Sequence, residues 1–222
     1  LVAALQKLVT QIQDGEVGKP RLEQAEALKI LESEQLQQLL DYGEVWLLKA
    51  MALRFQGAPT EEVVKTLEEA VSRCDELTAG YYLLGQLHFA HNKLVPAVRM
   101  LKRAIATGEG YGDPQVLLAQ VYLRKGDKPR AIARLNELIQ DIPDYAPGYR
   151  ARGAYHLKEG AVPQAIVDLS RATELAPKDG KAFLLLGKAH LEAHNEAEAR
   201  AAMCAAKALG EASAARLCPS AP

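Results

Sequence analysis

Aromatic residues are scarce in this chain: they make up 5% of 222 residues, with a single tryptophan. The 49% that is hydrophobic is therefore carried largely by alanine and leucine, the side chains that closely packed helices prefer. An all-α fold is expected. Charge of one sign is also lacking, since 27 Lys and Arg stand against 28 Asp and Glu for a formal net charge of −1. That balance leaves no general electrostatic footprint for nucleic acid or an anionic membrane, and neither is expected as a partner. No apolar run reaches the roughly 20 residues of a transmembrane helix, so direct membrane insertion is not expected. Cysteine is rare and odd in number: Cys74, Cys204 and Cys218, none closely spaced. Neither a disulfide framework nor a CxxC metal site is indicated, and unpaired thiols lean weakly toward the reducing cytoplasm. Leu1 to Leu8 lack the charged start and cleavage site of a signal peptide, but the chain begins at leucine, so its start does not report on targeting.

What is present in abundance is repetition. Four columns recur at an interval of 34: Gly85, Ala119, Gly153 and Gly187; Ala97, Ala131, Ala165 and Ala199; Leu101, Leu135, Leu169 and Met203; Ala104, Leu138, Ala172 and Ala206. Small residues at fixed offsets with a large apolar one among them describe helix pairs whose close contact is rebuilt unit after unit. With Thr78 as position 1, the next units open at Gly112, Ala146 and Gly180 without an insertion. Breakers separate the two helices of each: Asn92, Gly126 with Asp127, Gly160, and Asn195, of which Asp127 and Asn195 are expected to cap the second helix. Prolines mark boundaries. Pro96, Pro129 and Pro163 open second helices, Pro114 and Pro147 open first helices, and Pro143 and Pro177 close units.

A fifth unit precedes these from about Gly43, with one extra residue in its turn and Thr60 as the expected N-cap. Residues 1–42 read as a helical segment, either a degenerate unit or a packing partner of the first repeat. Residues 43–211 form the array, and 212–222 a C-terminal capping tail with one short helix.

These residues resemble the tetratricopeptide repeat: an aromatic at position 4 (Tyr81, Tyr149, Phe183), leucine at 7 (Leu84, Leu118, Leu186), Gly or Ala at 8, alanine at 20 and 27, large apolar at 24, and proline at 32 (Pro143, Pro177). Five units in one register, over residues 43 to 211, carry the resemblance. Two positions depart from it: Gln115 stands at 4 and Arg152 at 7, where less regular packing is expected. The resemblance implies a right-handed α-solenoid of antiparallel helix pairs whose first helices line a concave groove that seats a segment of another protein. It implies no catalytic residues and no cofactor. The lysine and asparagine set with which some of these repeats hold the acidic tails of heat-shock chaperones is missing, since the second to fourth units place Tyr82, Gln86, Leu117, Pro147 and Ala151 there.

His88, His156 and His190 all fall at position 11, the slot of Tyr122, and register explains them as partly buried packing residues. His190 and His194 have i,i+4 spacing, but the segment lacks the glutamate of the zincin motif and a third ligand, so no metal site is expected. Gly108 to Gly112 follows no strand and precedes no Lys-Ser/Thr, which excludes a phosphate loop. No GxSxG nucleophile motif occurs, and the acidic pairs Glu61-Glu62 and Glu68-Glu69 read as solvated helix surface.

At roughly 100° per residue, positions 4, 7, 8 and 11 of a first helix face the core, and positions 2, 5, 9, 12 and 13 face away from it. The groove set is then Phe55; Tyr82, Gln86 and Phe89; Val116, Gln120, Leu123 and Arg124; Arg150, Leu157 and Lys158; and Lys181, Leu184, Lys188 and Leu191. Large apolar residues that core packing does not need form a stripe, with basic residues crowding its C-terminal half. The expected role is a non-catalytic protein–protein interaction scaffold binding an amphipathic or extended segment with apolar anchors and some acidic character. The alternative is a self-associating scaffold, a homo-oligomer built through repeat surfaces, or a groove covered by the chain's own ends.

Overall fold

The computed structural model of the chain describes residues 42–108, 112–216 and 218. The expectations for residues 1–41 and for the last four residues lie outside them. Among the described residues there are ten α-helices, one 3-10 helix and no strand. They divide into two compact units between Glu109 and Gly110. The first holds α1 (Gly43–Phe55), α2 (Thr60–Arg73), α3 (Thr78–Ala90) and α4 (Leu94–Thr107). The second holds α5 (Asp113–Arg124), α6 (Lys128–Asp141), α7 (Ala146–Lys158), α8 (Val162–Leu175), α9 (Gly180–Glu192) and α10 (Glu196–Ala208), followed by the 3-10 helix Ala212–Arg216. Odd and even helices pair antiparallel through turns too short for any other arrangement.

Each turn is made the same way. After α5, Gly126 takes a φ of +81°, its N–H donates to the Leu123 carbonyl, and the Asp127 N–H reaches back to Tyr122 at 2.9 Å. This double bond to the last helical turn satisfies carbonyls the helix end would leave orphaned, and it requires a left-handed residue. Gly57 and Gly160 fill that slot in two other turns, but Asn92 (φ 58°) and His194 (φ 60°) fill it in the remaining two. The left-handed residue before α10 is thus His194, one place ahead of the breaker Asn195.

Asp127 caps α6 as expected, accepting from the Arg130 N–H. Two other cap expectations are corrected. Pro59 (φ −53°, ψ 135°) is the N-cap of α2 and Thr60 is already helical, because the Pro59 carbonyl accepts the first bonds of the helix, from the Glu62 and Val63 N–H groups. Asn195 occupies the N-cap of α10 but makes no side-chain cap bond; its Nδ2 lies 3.4 Å from His190 Nδ1 instead.

The core follows the columns. A Cβ added at Gly85 would lie 2.6 Å from Leu101 Cδ2, at Gly153 2.7 Å from Leu169 Cγ, and at Gly187 2.9 Å from Met203 Cγ. Ala119 and Leu135, each 1% exposed, take these roles in the α5–α6 pair. The small residue lets the first helix come close enough for the large one to be buried outright, worth about 1.5–3 kcal/mol per leucine. The departures at Gln115 and Arg152 leave α5 and α7 unbroken.

At the C-terminal end the structure corrects the reading of the cysteines. Cys204 and Cys218 form a disulfide with Cα atoms 4.9 Å apart, leaving Cys74 as the free thiol. Gly210, at φ +92°, ends α10 with a Glu211 N–H bond to Ala206 and its own N–H bond to Lys207. That reversal sends the chain back along the helix, which brings together two cysteines 14 residues apart. The unpaired-thiol argument for a reducing compartment therefore falls.

Replacing Gly153 by leucine would drive a side chain into Leu169 and Asp168. The substitution should destabilise the protein by roughly 1–3 kcal/mol or more, read as a lowered urea midpoint; an unchanged midpoint would refute the close contact.

Candidate interaction surface

In the first unit, the face of α1 and α3 turned from the core carries four of the expected residues. Phe55, at the end of α1, is 54% exposed. Tyr82, Gln86 and Phe89 recur along α3 at spacings of four and three, which puts them on one face, and all three are half-buried. Tyr42, just before α1, is 59% exposed, an aromatic that the repeat register could not include because it precedes the first unit.

In the second unit the expected residues separate by burial. Val116 on α5 is 8% exposed and belongs to the core, while Leu123 is half-buried and Gln120 and Arg124 are exposed. On α7, Leu157 packs against the cluster of Ala165, Leu169 and Leu186, and Lys158 is exposed. On α9, Leu184 packs against the cluster of Met203, Ala206 and Ala214, Leu191 is 38% exposed, and Lys181 and Lys188 stand in solvent. Residues 181, 184, 188 and 191 follow one another at three- and four-residue steps, so α9 presents a stripe in which lysine and leucine alternate.

The basic residues are not equivalent. Arg150 is committed to Asp179, whose other carboxylate oxygen caps α9 by accepting from the Lys181 and Ala182 N–H groups. That double role was missed because it links residues 29 apart. Lys158, Lys181 and Lys188 make no ion pair among the described residues. Arg152, at position 7 of its unit, reaches its fork to Asp168 on the facing helix α8 at 2.7 and 2.8 Å. Its third nitrogen donates to Asn136 of α6 at 2.9 Å, and Asp168 is 4% exposed. The guanidinium is held above its ordinary pKa chiefly by the bond to Asp168, with burial opposing. A bidentate pair is the arrangement that can offset desolvation of a carboxylate in the core.

The three histidines at position 11 are half-buried. His156 Nε2 stands 3.8 Å from Asp168. His88 has its pKa lowered, chiefly by burial and then by Lys93, with Glu68 acting the other way. His190 and His194 do not share a helical face, since α9 ends at Glu192 and His194 is left-handed. His88 also borders a cleft of about 420 Å³ between the start of α2 and the end of α3, lined by Pro59, Val64 and Glu68 on one side and by Leu87 and His91 on the other. No motif announces this cleft, because its walls come from segments that meet only through packing.

A family model described as tetratricopeptide repeat matches residues 88–154. A search of curated proteins found no significant relative. Among solved structures, the chain is similar to YrrB, described as a TPR protein with an unusual peptide-binding site, at 17% identity and a TM-score of 0.56, covering 81% of this chain and 92% of that one. It is similar to the APC/C hetero-tetramer Cut9–Hcn1 at 17% identity and a TM-score of 0.71, covering 88% of this chain and 39% of that one. PilF of Pseudomonas aeruginosa aligns at 15% identity and a TM-score of 0.66 over 76% of each chain. Residues 88–154 are tetratricopeptide repeat, and the fold of the described residues, all-α with antiparallel helix pairs, is that of tetratricopeptide repeat proteins. This repeat fold serves protein–protein interaction, and proteins that carry it are typically non-catalytic scaffolds.

Two outcomes test the electrostatics. Arg152→Leu alone strands the Asp168 carboxylate and should cost up to roughly 3–5 kcal/mol, whereas Arg152→Leu with Asp168→Ala should recover most of it; equal losses in a urea comparison would count against the pair. For His88, a folded pKa below the unfolded value of 6.5 means that the unfolded chain binds the proton more readily. Stability should therefore be full above 6.5 and fall as pH drops through the unfolded value toward the folded one. His88→Gln should flatten that part of the urea-midpoint profile, and an unaltered slope would show that His88 does not cause it.

Proposed function

We propose that the chain is a non-catalytic scaffold that docks a segment of another protein on the outward faces of its first helices, and that the segment is apolar with acidic residues. One observation carries the acidic part: Lys181 and Lys188 on α9 flank Leu184 and lie beside Leu191, exposed and without an ion pair among the described residues, while Arg150 nearby is already neutralised by Asp179. A partner that sets carboxylates against the two ammonium groups and an apolar side chain against the leucines matches that face in charge and character. Lys158 on α7 adds a third cation. The first unit, by itself, offers an exposed apolar side chain of its own in Phe55. The similarity to a protein described as having a peptide-binding site supports this reading at the level of the fold.

The test is affinity purification from the native source with quantitative mass spectrometry, comparing the wild type with Lys181→Glu/Lys188→Glu and with Leu191→Ser. Charge reversal should reduce recovery of acidic-segment partners by about tenfold or more and leave the circular dichroism spectrum unchanged. Identical recovery in all three would overturn the proposal. A size that grows with concentration in light scattering, and that the same substitutions abolish, would assign the face to self-association instead.

A further inference from the structure

The repeat places a leucine at position 12 of three consecutive units: Leu123 on α5, Leu157 on α7 and Leu191 on α9. All three helices belong to the second unit of the fold. They run parallel, because an antiparallel helix separates each from the next, and α7 lies against both α5 and α9. The leucines therefore form a row across the helices, with steps set by the interaxial distance of about 8–10 Å. Leu123 and Leu157 are half-buried, since position 12 lies on the flank of its helix, and Leu191 is 38% exposed. The row is one residue wide. Position 9 borders it on one side with Gln120, Ala154 and Lys188, and position 13 on the other with Arg124, Lys158 and Glu192. All of these are exposed except the half-buried Ala154.

The step of the row selects among backbone forms. A β-strand returns to the same face after about 6.6–6.8 Å, which is short of the step, or after about 13 Å, which overshoots it. An α-helix returns after seven residues and about 10.5 Å, but its apolar stripe is at least about 100° wide and would lie on the polar rows at positions 9 and 13. A polyproline II segment returns after three residues and about 9.3 Å, with its other two side chains turned to the two flanks. We infer that the row takes a segment in polyproline II conformation that carries an apolar side chain at every third residue and carboxylates between them. This rests on the docking proposed above and adds the partner's backbone form and spacing. The carboxylates sit against Lys188 on one flank and Lys158 on the other, exposed and without an ion pair among the described residues. Glu192 repels a carboxylate beside Leu191 on the Lys158 flank, so the acid at that end of the row faces Lys188.

The experiment titrates the full chain into a fluorescein-labelled peptide of four tandem Leu-Pro-Glu triplets, read by anisotropy; the proline after each leucine holds it extended. One control peptide has three tandem Leu-Pro-Glu-Pro quadruplets, which keep the backbone form and break the spacing. The other is a helical peptide of leucine, glutamate and alanine with leucines at i, i+3, i+4 and i+7. The triplet peptide should bind about tenfold or more tighter than either control. Lys158→Glu with Lys188→Glu, and separately Leu123→Ser, should weaken it by about tenfold with an unchanged circular dichroism spectrum, whereas Phe55→Ser in the first unit should leave it unaltered. Equal affinity for triplets and quadruplets would show that the spacing goes unread, and tighter binding of the helical peptide would give the face to a helix. Either overturns the inference and leaves a docked acidic segment standing. Triplet binding that the lysine and leucine substitutions do not touch, binding of none of the peptides, or a dimer that Leu123→Ser dissociates would overturn it as well. Failure of the docking itself is read separately, as identical recovery of partners in the affinity purification.

Discussion

The contact between a glycine or alanine on one helix and a leucine or methionine on the next governs this molecule. A side chain at Gly85, Gly153 or Gly187 would overlap the residue opposite, so the helix pair can approach to this distance only with the side chain missing. The approach buries Leu101 and Leu169 completely, and burial of that kind is the largest favourable term available to a chain with few aromatics. It also sets orientation. With position 8 pressed against the partner helix, positions 2, 5, 9 and 12 of the same helix turn away from it. The outward stripe of α9 is thus a by-product of where Gly187 must point.

Charge is distributed around this core with different commitments. Asp168 is drawn inside and answered by Arg152, which ties α7 to α8 and, through Asn136, to α6. Asp179 both caps α9 and neutralises Arg150. Of the basic residues on the outward faces of α7 and α9, Arg150 is paired with Asp179, and Lys158, Lys181 and Lys188 make no ion pair among the described residues.

Much of the fold was legible because repetition multiplies weak signals. One glycine next to one leucine says little, but four such columns at a single spacing leave one arrangement. The predicted unit boundaries at Thr78, Ala146 and Gly180 coincide with helix starts. The turns were legible to within one residue: Asn195 attracted attention as a good cap, yet the backbone conformation that closes the turn belongs to His194. Side-chain chemistry identifies a favoured residue, whereas hydrogen-bond geometry at the helix end decides which residue is left-handed. The outward stripe was legible as a face and not as exposure. Val116 lies on that face by angle and is nevertheless buried, because helical angle fixes direction and neighbouring elements fix cover.

By itself the sequence determined the period, the pairing of helices and the face each turns inward, since these follow from side-chain volume and from 3.6 residues per turn. Only the tertiary structure decided which charges are spent and which cysteines meet. Arg150 finds Asp179 across 29 residues and Cys204 finds Cys218 across 14. Such meetings depend on where the chain reverses and which helix it returns along, and no spacing along the chain encodes that distance in space.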